Sequence, residues 1–125
     1  MKPKLGQKYS RQTISRMIGG SIVAYLPYKD GEILCGCFNR SRKLNPGAPE
    51  EVVLGKGPIV EKTAEMVYHQ GTPIPIFIFR SGARWEFVGN YRCVEYSRDA
   101  NLLKEKMKVY PERGEIAGVL RFENV

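Results

Sequence analysis

Histidine is almost absent from this sequence, since His69 is the only one among its 125 residues. A nuclease or hydrolase that works through paired histidines therefore cannot be built from it. The chain also lacks the P-loop pattern, GxxxxGK followed by Ser or Thr, and it has no acidic pair followed by Glu-x-Lys, the spacing that metal-dependent nucleases use. Because these catalytic patterns are missing, we expect a binding protein rather than an enzyme, with no cofactor.

Cysteine is sparse as well. Cys35, Cys37 and Cys93 are odd in number and lie in apolar, strand-like segments, which is typical of reduced, buried thiols. Cys35 and Cys37 share a strand face and could be combined with His69 into a zinc site, but their spacing is not the CxxC or HxxxH that wraps an ion. We therefore predict no metal.

Long apolar runs are also missing. No stretch approaches the roughly 20 apolar residues that span a bilayer. The first ten residues, MKPKLGQKYS, lack the apolar middle of a signal peptide. We expect an intracellular, cytoplasmic protein.

Positive charge, by contrast, is abundant and concentrated at one end of the chain. The net charge of +7 comes from 20 basic and 13 acidic residues. The first 43 residues carry nine basic residues against two acidic ones, whereas the rest of the chain carries eleven of each sign. Since phosphate contacts release condensed counterions, a basic segment of this kind favours a polyanionic partner. The generally basic character of a protein without such a partner is the alternative explanation of this charge.

The order of the predicted elements indicates the α+β class. Ser10 is suited to cap a helix, Gly19-Gly20 to end it, and Asp30-Gly31 to turn a hairpin. The patterns predict helices at 11–18, about 60–70 and 101–108, and strands at 21–28, 32–38, 51–54, 74–79, 85–96 and 116–122. Because the order is not βαβ, we expect a strongly curved mixed sheet or partial barrel with about three short flanking helices. Residues 1–125 are predicted to form one domain, with a basic N-terminal arm of about residues 1–9.

The predicted hairpin over residues 74–96 carries the single tryptophan and raises the question of what its aromatic residues do. Its first strand, 74–79, is apolar on both faces, as in a central strand that is covered on both sides. In the second strand, alternation predicts one common face for Trp85, Phe87, Gly89, Tyr91 and Cys93. We expect the first strand to lie in the core. The second strand should contribute its apolar face to the core and Tyr91 or Arg92 to a ligand site.

Two ingredients of nucleic-acid binding recur along the chain, namely cations near predicted turns and aromatic residues near predicted strands. The cations expected along a DNA backbone are Lys8, Arg11, Arg16, Arg40, Arg42, Lys43, Lys56, Arg80 and Arg84. The densest cluster, residues 40–43, is equally typical of a solvated loop. The aromatic residues have a core alternative, which applies most strongly to Phe77, Phe79 and Phe87.

Several fixed points along the chain, taken in order, resemble a known family. They are Tyr9-Ser10-Arg11, Gly19-Gly20-Ser21 with Tyr25-Leu26-Pro27, Asn45-Pro46-x-Ala48-Pro49-Glu50, and Trp85-x-Phe87-x-Gly89-x-Tyr91-Arg92. From about Gly6 to Val94 the chain is similar to an SRA-like domain, within the PUA superfamily, that stands at the N-terminus of many prokaryotic HNH restriction endonucleases. The resemblance implies a small barrel-like sheet that reads DNA carrying a modified base.

The resemblance also implies a site. In related SRA domains the base swings out of the duplex into a pocket, where aromatic rings stack on it and hydrogen bonds read its edge. The residues expected in this base pocket are Tyr9, Tyr25, Asn45, Glu50, Trp85, Tyr91 and Arg92, with Asn45 or Glu50 as the edge reader. Arg11 also matches the family pattern, and we expect it along the DNA backbone rather than in the pocket.

The sequence thus predicts a noncatalytic specificity module of a restriction system, which binds double-stranded DNA with a methylated or hydroxymethylated base. Because these 125 residues contain no HNH motif, we expect the nuclease to be a C-terminal or separate module. Two alternatives stay open: a PUA-like module that binds RNA, and a protein that senses or processes nucleotides. The choice of modified base, base flipping and homodimer formation are also left open.

Overall fold

The first helix shows how local sequence signals set the element boundaries. In the computed structural model, which describes residues 2–125, Ser10 Oγ accepts a hydrogen bond from the Thr13 N–H at 3.1 Å and caps the helix. Gly19, with a φ of +106°, ends it. Asp99 caps the last helix in the same way, because its carboxylate accepts the Leu102 N–H at 3.0 Å.

The described residues form three α-helices and eight strands. The helices are α1 (Arg11–Ile18), α2 (Pro58–Gln70) and α3 (Ala100–Val109), and a 3-10 turn at Pro111–Arg113 follows the last of them. The strands are β1 (Lys8–Tyr9), β2 (Tyr28–Lys29), β3 (Glu32–Ile33), β4 (Gly36–Phe38), β5 (Glu51–Leu54), β6 (Ile74–Arg80), β7 (Arg84–Ser97) and β8 (Gly118–Asn124). In this part of the chain, no helix has the length and apolar character needed to cross a bilayer.

Six of the strands form one mixed sheet around the fourteen-residue strand β7. The strand order is β4-β6-β7-β8-β5, with β1 paired to the start of β7, and only the β4–β6 pair is parallel. β7 pairs with β6 along its first half and with β8 along its second half, and the sheet curls into a half-barrel. The prediction of an α+β fold with a strongly curved sheet is confirmed.

The segment 21–28, which the sequence predicts as a strand, is a loop apart from the first residue of β2. The Ser21 Oγ accepts the backbone N–H groups of Val23 and Ala24 at 3.1 and 3.2 Å. Arg11 donates to the carbonyl oxygens of Ser21 and Ala24. Because side chains satisfy these backbone groups, residues 21–24 need no strand partner, and the prediction of a strand is wrong here.

The hairpin predicted at Asp30-Gly31 is present but short. Both residues have positive φ, +52° and +78°, as the two central residues of a type I′ turn require, and they join β2 to β3. The predicted strand 32–38 is divided into β3 and β4, and between them the Leu34 N–H donates to the Pro27 carbonyl at 2.8 Å, next to the last pair of the hairpin. β3 therefore pairs with β2, whereas β4 pairs with β6 in the main sheet.

A β-bulge interrupts β7, so the residues that the sequence alternation places on a single face of the strand lie on two different faces. Phe77 pairs with Phe87, but the preceding residue of β6 pairs with Gly89, so Val88 is the extra residue. Gly89 has a φ of +123°, a conformation that favours glycine. Phe87 packs in the cluster beneath α1, whereas Tyr91 packs in the main core, against the opposite face of β6. The single common face predicted for this strand is therefore wrong.

The core forms on both faces of β6, as the apolar pattern of that strand predicts. Ile76 and Ile78 point into the main core beneath α2, and Phe77 points into the cluster beneath α1. All three are at most 1% exposed. The three cysteines are also buried as free thiols, as predicted. This two-sided packing fixes β6 and the start of β7 as a rigid base for the loops beside them.

Candidate nucleic-acid interface

A cleft of about 360 Å³ opens where two loops meet the start of β7. The residues that line it are Arg11, Ile22, Val23, Tyr25, Cys37, Phe38, Asn39, Leu44, Asn45 and Trp85. They come from α1, from the loop after α1, from β4, from the loop after β4, and from β7. A volume of this order is typical of small-molecule sites and is large enough for one nucleobase. The fold thus gathers four family-pattern residues, Arg11, Tyr25, Asn45 and Trp85, around one opening.

Arg11 and Trp85 form one wall of the cleft. The guanidinium carbon of Arg11 lies 5.2 Å from the centroid of the Trp85 ring, within the range of a cation–π contact. Arg11 Nη2 donates to the carbonyl oxygens of Ser21 and Ala24 at 2.9 and 2.8 Å, so it holds this loop in position. The Trp85 ring packs edge-on against Phe79, with 5.2 Å between centroids. This wall is therefore fixed by contacts on both sides.

Tyr25 contributes its ring to the cleft, because its hydroxyl group is engaged elsewhere. The Oη atom donates to the Val60 carbonyl oxygen at 2.6 Å and accepts from Thr63 Oγ1 at 3.0 Å. Burial raises the pKa of Tyr25 above its ordinary value, so the hydroxyl stays protonated. These two bonds to α2 fix the ring as a flat surface beside the opening.

Asn39 and Asn45 supply the amide groups of the cleft. The Asn45 N–H donates to the Asn39 carbonyl at 3.0 Å, so both residues belong to one closed loop. The Asn45 Oδ1 accepts the Val53 N–H at 2.7 Å, and the Asn39 Oδ1 accepts the Ser41 N–H at 2.9 Å. Both side chains are thereby oriented by the backbone before any ligand arrives.

Three apolar side chains, which we call the apolar rim, stand exposed at the cleft. Val23 is 84% exposed, Ile22 44% and Leu44 41%. Exposed apolar residues are ordinary when scattered singly, but a group of them beside an opening is typical of a contact surface. Ile22 and Val23 are exposed because they lie in a loop and not in the packed strand that the sequence predicts.

The most basic loop of the chain lies beside this opening. Asn39 and Leu44 line the cleft, and the cations Arg40, Arg42 and Lys43 lie between them in the chain; Arg42 lines a separate pocket beside Tyr110 and Glu112. Arg42 is within 3.4 Å of Glu112, and both side chains are exposed. Arg40 and Lys43 form no ion pair with any residue from 2 to 125, which leaves both available for phosphate contacts.

The other predicted phosphate contacts fall into two groups. Lys56 and Arg80 are paired with acidic side chains at 2.9 and 3.0 Å. Lys8, Arg16 and Arg84 are exposed and have no acidic partner among the described residues. Arg84 directly precedes Trp85 in β7, and Lys8 lies in the adjacent strand β1. Unpaired cations therefore flank both the loop and the strand sides of the cleft.

Four residues assigned to the base pocket by the sequence lie outside the cleft. Tyr91 is 8% exposed and packs in the main core, because the bulge in β7 directs it there. Tyr9 packs edge-on against Phe77, with 6.3 Å between ring centroids. Glu50 and Arg92 are exposed and do not line the opening.

The cleft also contains seven residues that the sequence does not assign to a base pocket, namely Arg11, Ile22, Val23, Cys37, Phe38, Asn39 and Leu44. The sequence pattern predicts a strand for Ile22 and Val23. Their position directly after Gly19-Gly20, which interrupts regular structure, was the signal for an exposed loop. Asn39 opens a loop of turn-forming residues, a position where a side-chain amide commonly bonds to the local backbone.

The curled mixed sheet, its flanking helices and a cleft beside β7 define an SRA-like fold, as the sequence resemblance implies. Among solved structures, the SRA domain of SUVH5 with hemimethylated CG DNA has a TM-score of 0.67 and 8% identity, over 100% of this chain and 90% of that chain. The same domain with fully hydroxymethylated CG DNA has a TM-score of 0.65 and 9% identity, over 98% and 89% of the two chains.

A restriction enzyme shares the fold as well. The type IV phosphorothioation-dependent restriction endonuclease ScoMcrA has a TM-score of 0.55 and 13% identity, over 98% of this chain and 28% of that chain. No family model matches this sequence, and no curated protein matches it. At these low sequence identities, the structural similarity establishes the fold alone.

Proposed function

We propose that this chain is a noncatalytic DNA-binding domain that recognises one modified base in duplex DNA, as the specificity module of a restriction system. The observation that carries the proposal is the cleft of nucleobase size that gathers Arg11, Tyr25 and Trp85 beside unpaired cations. The structural neighbours support it, because SUVH5 was captured with methylated and hydroxymethylated DNA and ScoMcrA is a restriction endonuclease.

The energetics of base extrusion are compatible with these residues. Taking a base out of the stack costs a few kcal/mol, and stacking on aromatic side chains returns about 1–3 kcal/mol per base. Trp85 and Tyr25 are the stacking candidates. Arg40 and Lys43 add phosphate contacts, and the exposed Val23 is suited to enter the gap that the extruded base leaves.

DNA cleavage is assigned to another module. The ten residues that line the cleft include no histidine and no carboxylate, the side chains that most often act as general acid or base. A nuclease module, either C-terminal or separate, would perform the hydrolysis. This chain would then decide which DNA is cut.

A binding panel tests the proposal. Short duplexes that are identical except for one base (unmodified, methylated or hydroxymethylated) are compared by fluorescence anisotropy at two salt concentrations. We expect at least one modified duplex to bind more tightly than its unmodified counterpart, and the affinity to fall steeply with salt, with a slope of about −0.9 per phosphate contact.

The same assay separates the alternatives. Structured RNA that competes better than modified duplex DNA would favour an RNA-binding module. Tight binding of free nucleotides with weak salt dependence would favour a nucleotide sensor. Either result would contradict the proposal.

A further inference from the structure

Two of the three buried cysteines, Cys35 and Cys37, lie on the same side of β4, and we call them the thiol pair. Cys35 directly precedes β4 and Cys37 lies in it, and both side chains pack in the cluster beneath α1, as residues two positions apart in an extended chain do. They are 0% and 3% exposed. Gly36, between them, faces the main core, where an added Cβ would lie 2.7 Å from Ile76 Cδ1. The third cysteine, Cys93, belongs to the main core.

The thiol pair and Arg11 form one electrostatic unit. The hydrogen bond with Cys35 lowers the pKa of Cys37, and the charge of Arg11 adds to this effect, although burial acts in the opposite direction. The same hydrogen bond, together with burial, raises the pKa of Cys35. Arg11 Nε is itself buried and has no hydrogen-bond partner among the described residues, so this N–H group is free to donate to a thiolate. Cys37 is therefore the thiol that ionises, and Cys35 is the thiol that keeps its proton.

The cleft beside β7 borders the thiol pair on the side of Cys37. Cys37 is one of the residues that line the cleft, together with Arg11 and Trp85. Trp85 also packs against the cluster that holds both thiols, whereas Cys35 and Cys93 are not in the lining. A thiolate that lies beside a cation and that a small molecule reaches is the typical site of cysteine oxidation, and a second thiol next to it converts the first product into a disulfide.

We infer that the thiol pair is a redox switch for the cleft, with a peroxide as its oxidant. The Cys37 thiolate attacks one oxygen of hydrogen peroxide, the O–O bond breaks, and the leaving hydroxide takes a proton to become water. The resulting sulfenic acid condenses with the Cys35 thiol, which releases a second water and forms the disulfide. A dithiol reductant restores both thiols by exchange. This chemistry goes beyond the proposed function, but its effect on DNA binding rests on that function.

The disulfide should disturb the cleft, because β4 has to change its conformation to form it. Two residues that are two positions apart in a strand have Cα atoms about 6.6 Å apart, close to the upper limit of about 6.8 Å for a disulfide. β4 is an edge strand of the main sheet, so a single neighbouring strand holds it there.

A shift of β4 would reach the cleft on two sides. The Cys37 N–H donates to the carbonyl oxygen of Tyr25 at 2.8 Å, so it holds one lining residue. Phe38 and Asn39, which also line the cleft, follow Cys37 directly in the chain. We therefore expect the oxidised protein to bind a modified duplex about tenfold less tightly, as after the loss of one stacking contact.

Mass spectrometry tests the chemistry of the thiol pair. After treatment with hydrogen peroxide, the tryptic peptide of residues 30–40, which contains both thiols, should have lost two hydrogen atoms, and dithiothreitol should restore them. Cys35→Ala should stop at the sulfenic acid, which a cyclic 1,3-diketone traps on Cys37. Cys37→Ala, the second variant in case Cys35→Ala melts at a lower temperature than the parent, should leave Cys35 as a free thiol. Cys93→Ala is the matched control and should form the disulfide as the parent does.

Fluorescence anisotropy tests the effect on binding. The reduced, oxidised and re-reduced forms of the protein are titrated with one modified duplex, and the tenfold loss should appear on oxidation and disappear on reduction. Cys93→Ala should lose as much affinity as the parent. Peroxide should leave the affinity of Cys37→Ala unchanged, and this variant also controls for the oxidation of methionine.

The outcomes separate this inference from the proposed function. Two free thiols in peptide 30–40 after peroxide treatment would overturn the inference, and so would a disulfide that leaves the affinity unchanged. If the reduced protein binds modified and unmodified duplexes equally, the proposed function fails, and with it the effect on binding. The formation of the disulfide then stands or falls by the mass measurement alone.

Discussion

The basic residues of the first 43 positions and those of the remaining chain differ in how many of them pair with an acidic side chain. Of the nine early cations, Arg42 alone has an acidic partner among the residues that the structure describes. Of the eleven later ones, four are paired in this same part of the chain, namely Lys56, Arg80, Lys106 and Arg121. Eight of the nine early cations thus lack an acidic partner in the described part of the chain, compared with seven of the eleven later ones. A segment's charge count predicts a binding surface only when no acidic residues from elsewhere neutralise it.

Glu51 is an example of a charged residue in the later region that stabilises the fold. Lys106 Nζ lies 2.7 Å from one carboxylate oxygen, and the Tyr110 hydroxyl donates to the other at 2.6 Å. Burial alone raises the pKa of Glu51, but the hydrogen bonds from Lys106 and Tyr110 outweigh it and hold this pKa below its ordinary value. The same hydrogen bond raises the pKa of Tyr110 to about 12. These contacts tie α3 to β5, so they serve the fold rather than the cleft.

The largest expected effect contrasts two aromatic residues of β7. Tyr91→Ala removes a core ring and should destabilise the protein by about 3–5 kcal/mol, as large-to-small core substitutions do. Chemical denaturation measures this loss. The folded fraction should keep its preference for a modified base, because Tyr91 does not line the cleft. A lost preference in fully folded protein would contradict the separation of core and cleft.

Trp85→Leu should act on binding instead. Leucine keeps an apolar side chain but removes the flat ring, so the modified duplex should bind about 10- to 100-fold less tightly, while unmodified DNA changes little. Anisotropy titration with both duplexes measures the effect. The matched control is Phe79→Leu, which removes the ring that packs on Trp85 without removing a lining residue. Equal losses for both variants would mean that the ring acts through packing.

Cations of the two regions should differ in their contribution to DNA binding. Replacing Arg40 and Lys43 with Ala should weaken binding to all duplexes alike and reduce the salt slope by about 1.8, or 0.9 for each lost phosphate contact. The control replaces two paired cations, Lys56 and Arg121, and removes the same charge. If the control changes the slope as much, the comparison between early and late cations does not hold.

The smallest effect concerns Glu51. Because its pKa is lower in the folded state, its ionised form stabilises the protein above the unfolded-state pKa of about 4.3, and this contribution is lost as the pH falls through the folded-state value. Glu51→Gln should therefore cost about 1 kcal/mol near pH 7 and progressively less in acid. Thermal denaturation at pH 7 and below pH 4 measures the difference. A cost that does not vary with pH would contradict the assigned ion pair.

The sequence alone predicts most of the helices and strands but only part of the candidate site. The helix caps at Ser10 and Asp99 and the turn at Asp30-Gly31 follow from side chains that bond to, or shape, the nearby backbone. Arg11, Tyr25, Asn45 and Trp85 were found through the family pattern, and the fold gathers them in one cleft. Ile22 and Val23 of the apolar rim were missed, because the loop that Arg11 holds has the local sequence pattern of a strand.

By itself, the sequence determined the helix ends, the hairpin turn, the two-sided apolar strand β6 and the early excess of positive charge. Each of these depends on residues a few positions apart or on composition alone. Only the tertiary structure decided which aromatic residues line the cleft and which cations remain unpaired. The bulge at Val88 sends Tyr91 to the core, and ion pairs such as Arg42 with Glu112 join residues far apart in the chain. A local pattern cannot specify such contacts, since they form only when the sheet has curled.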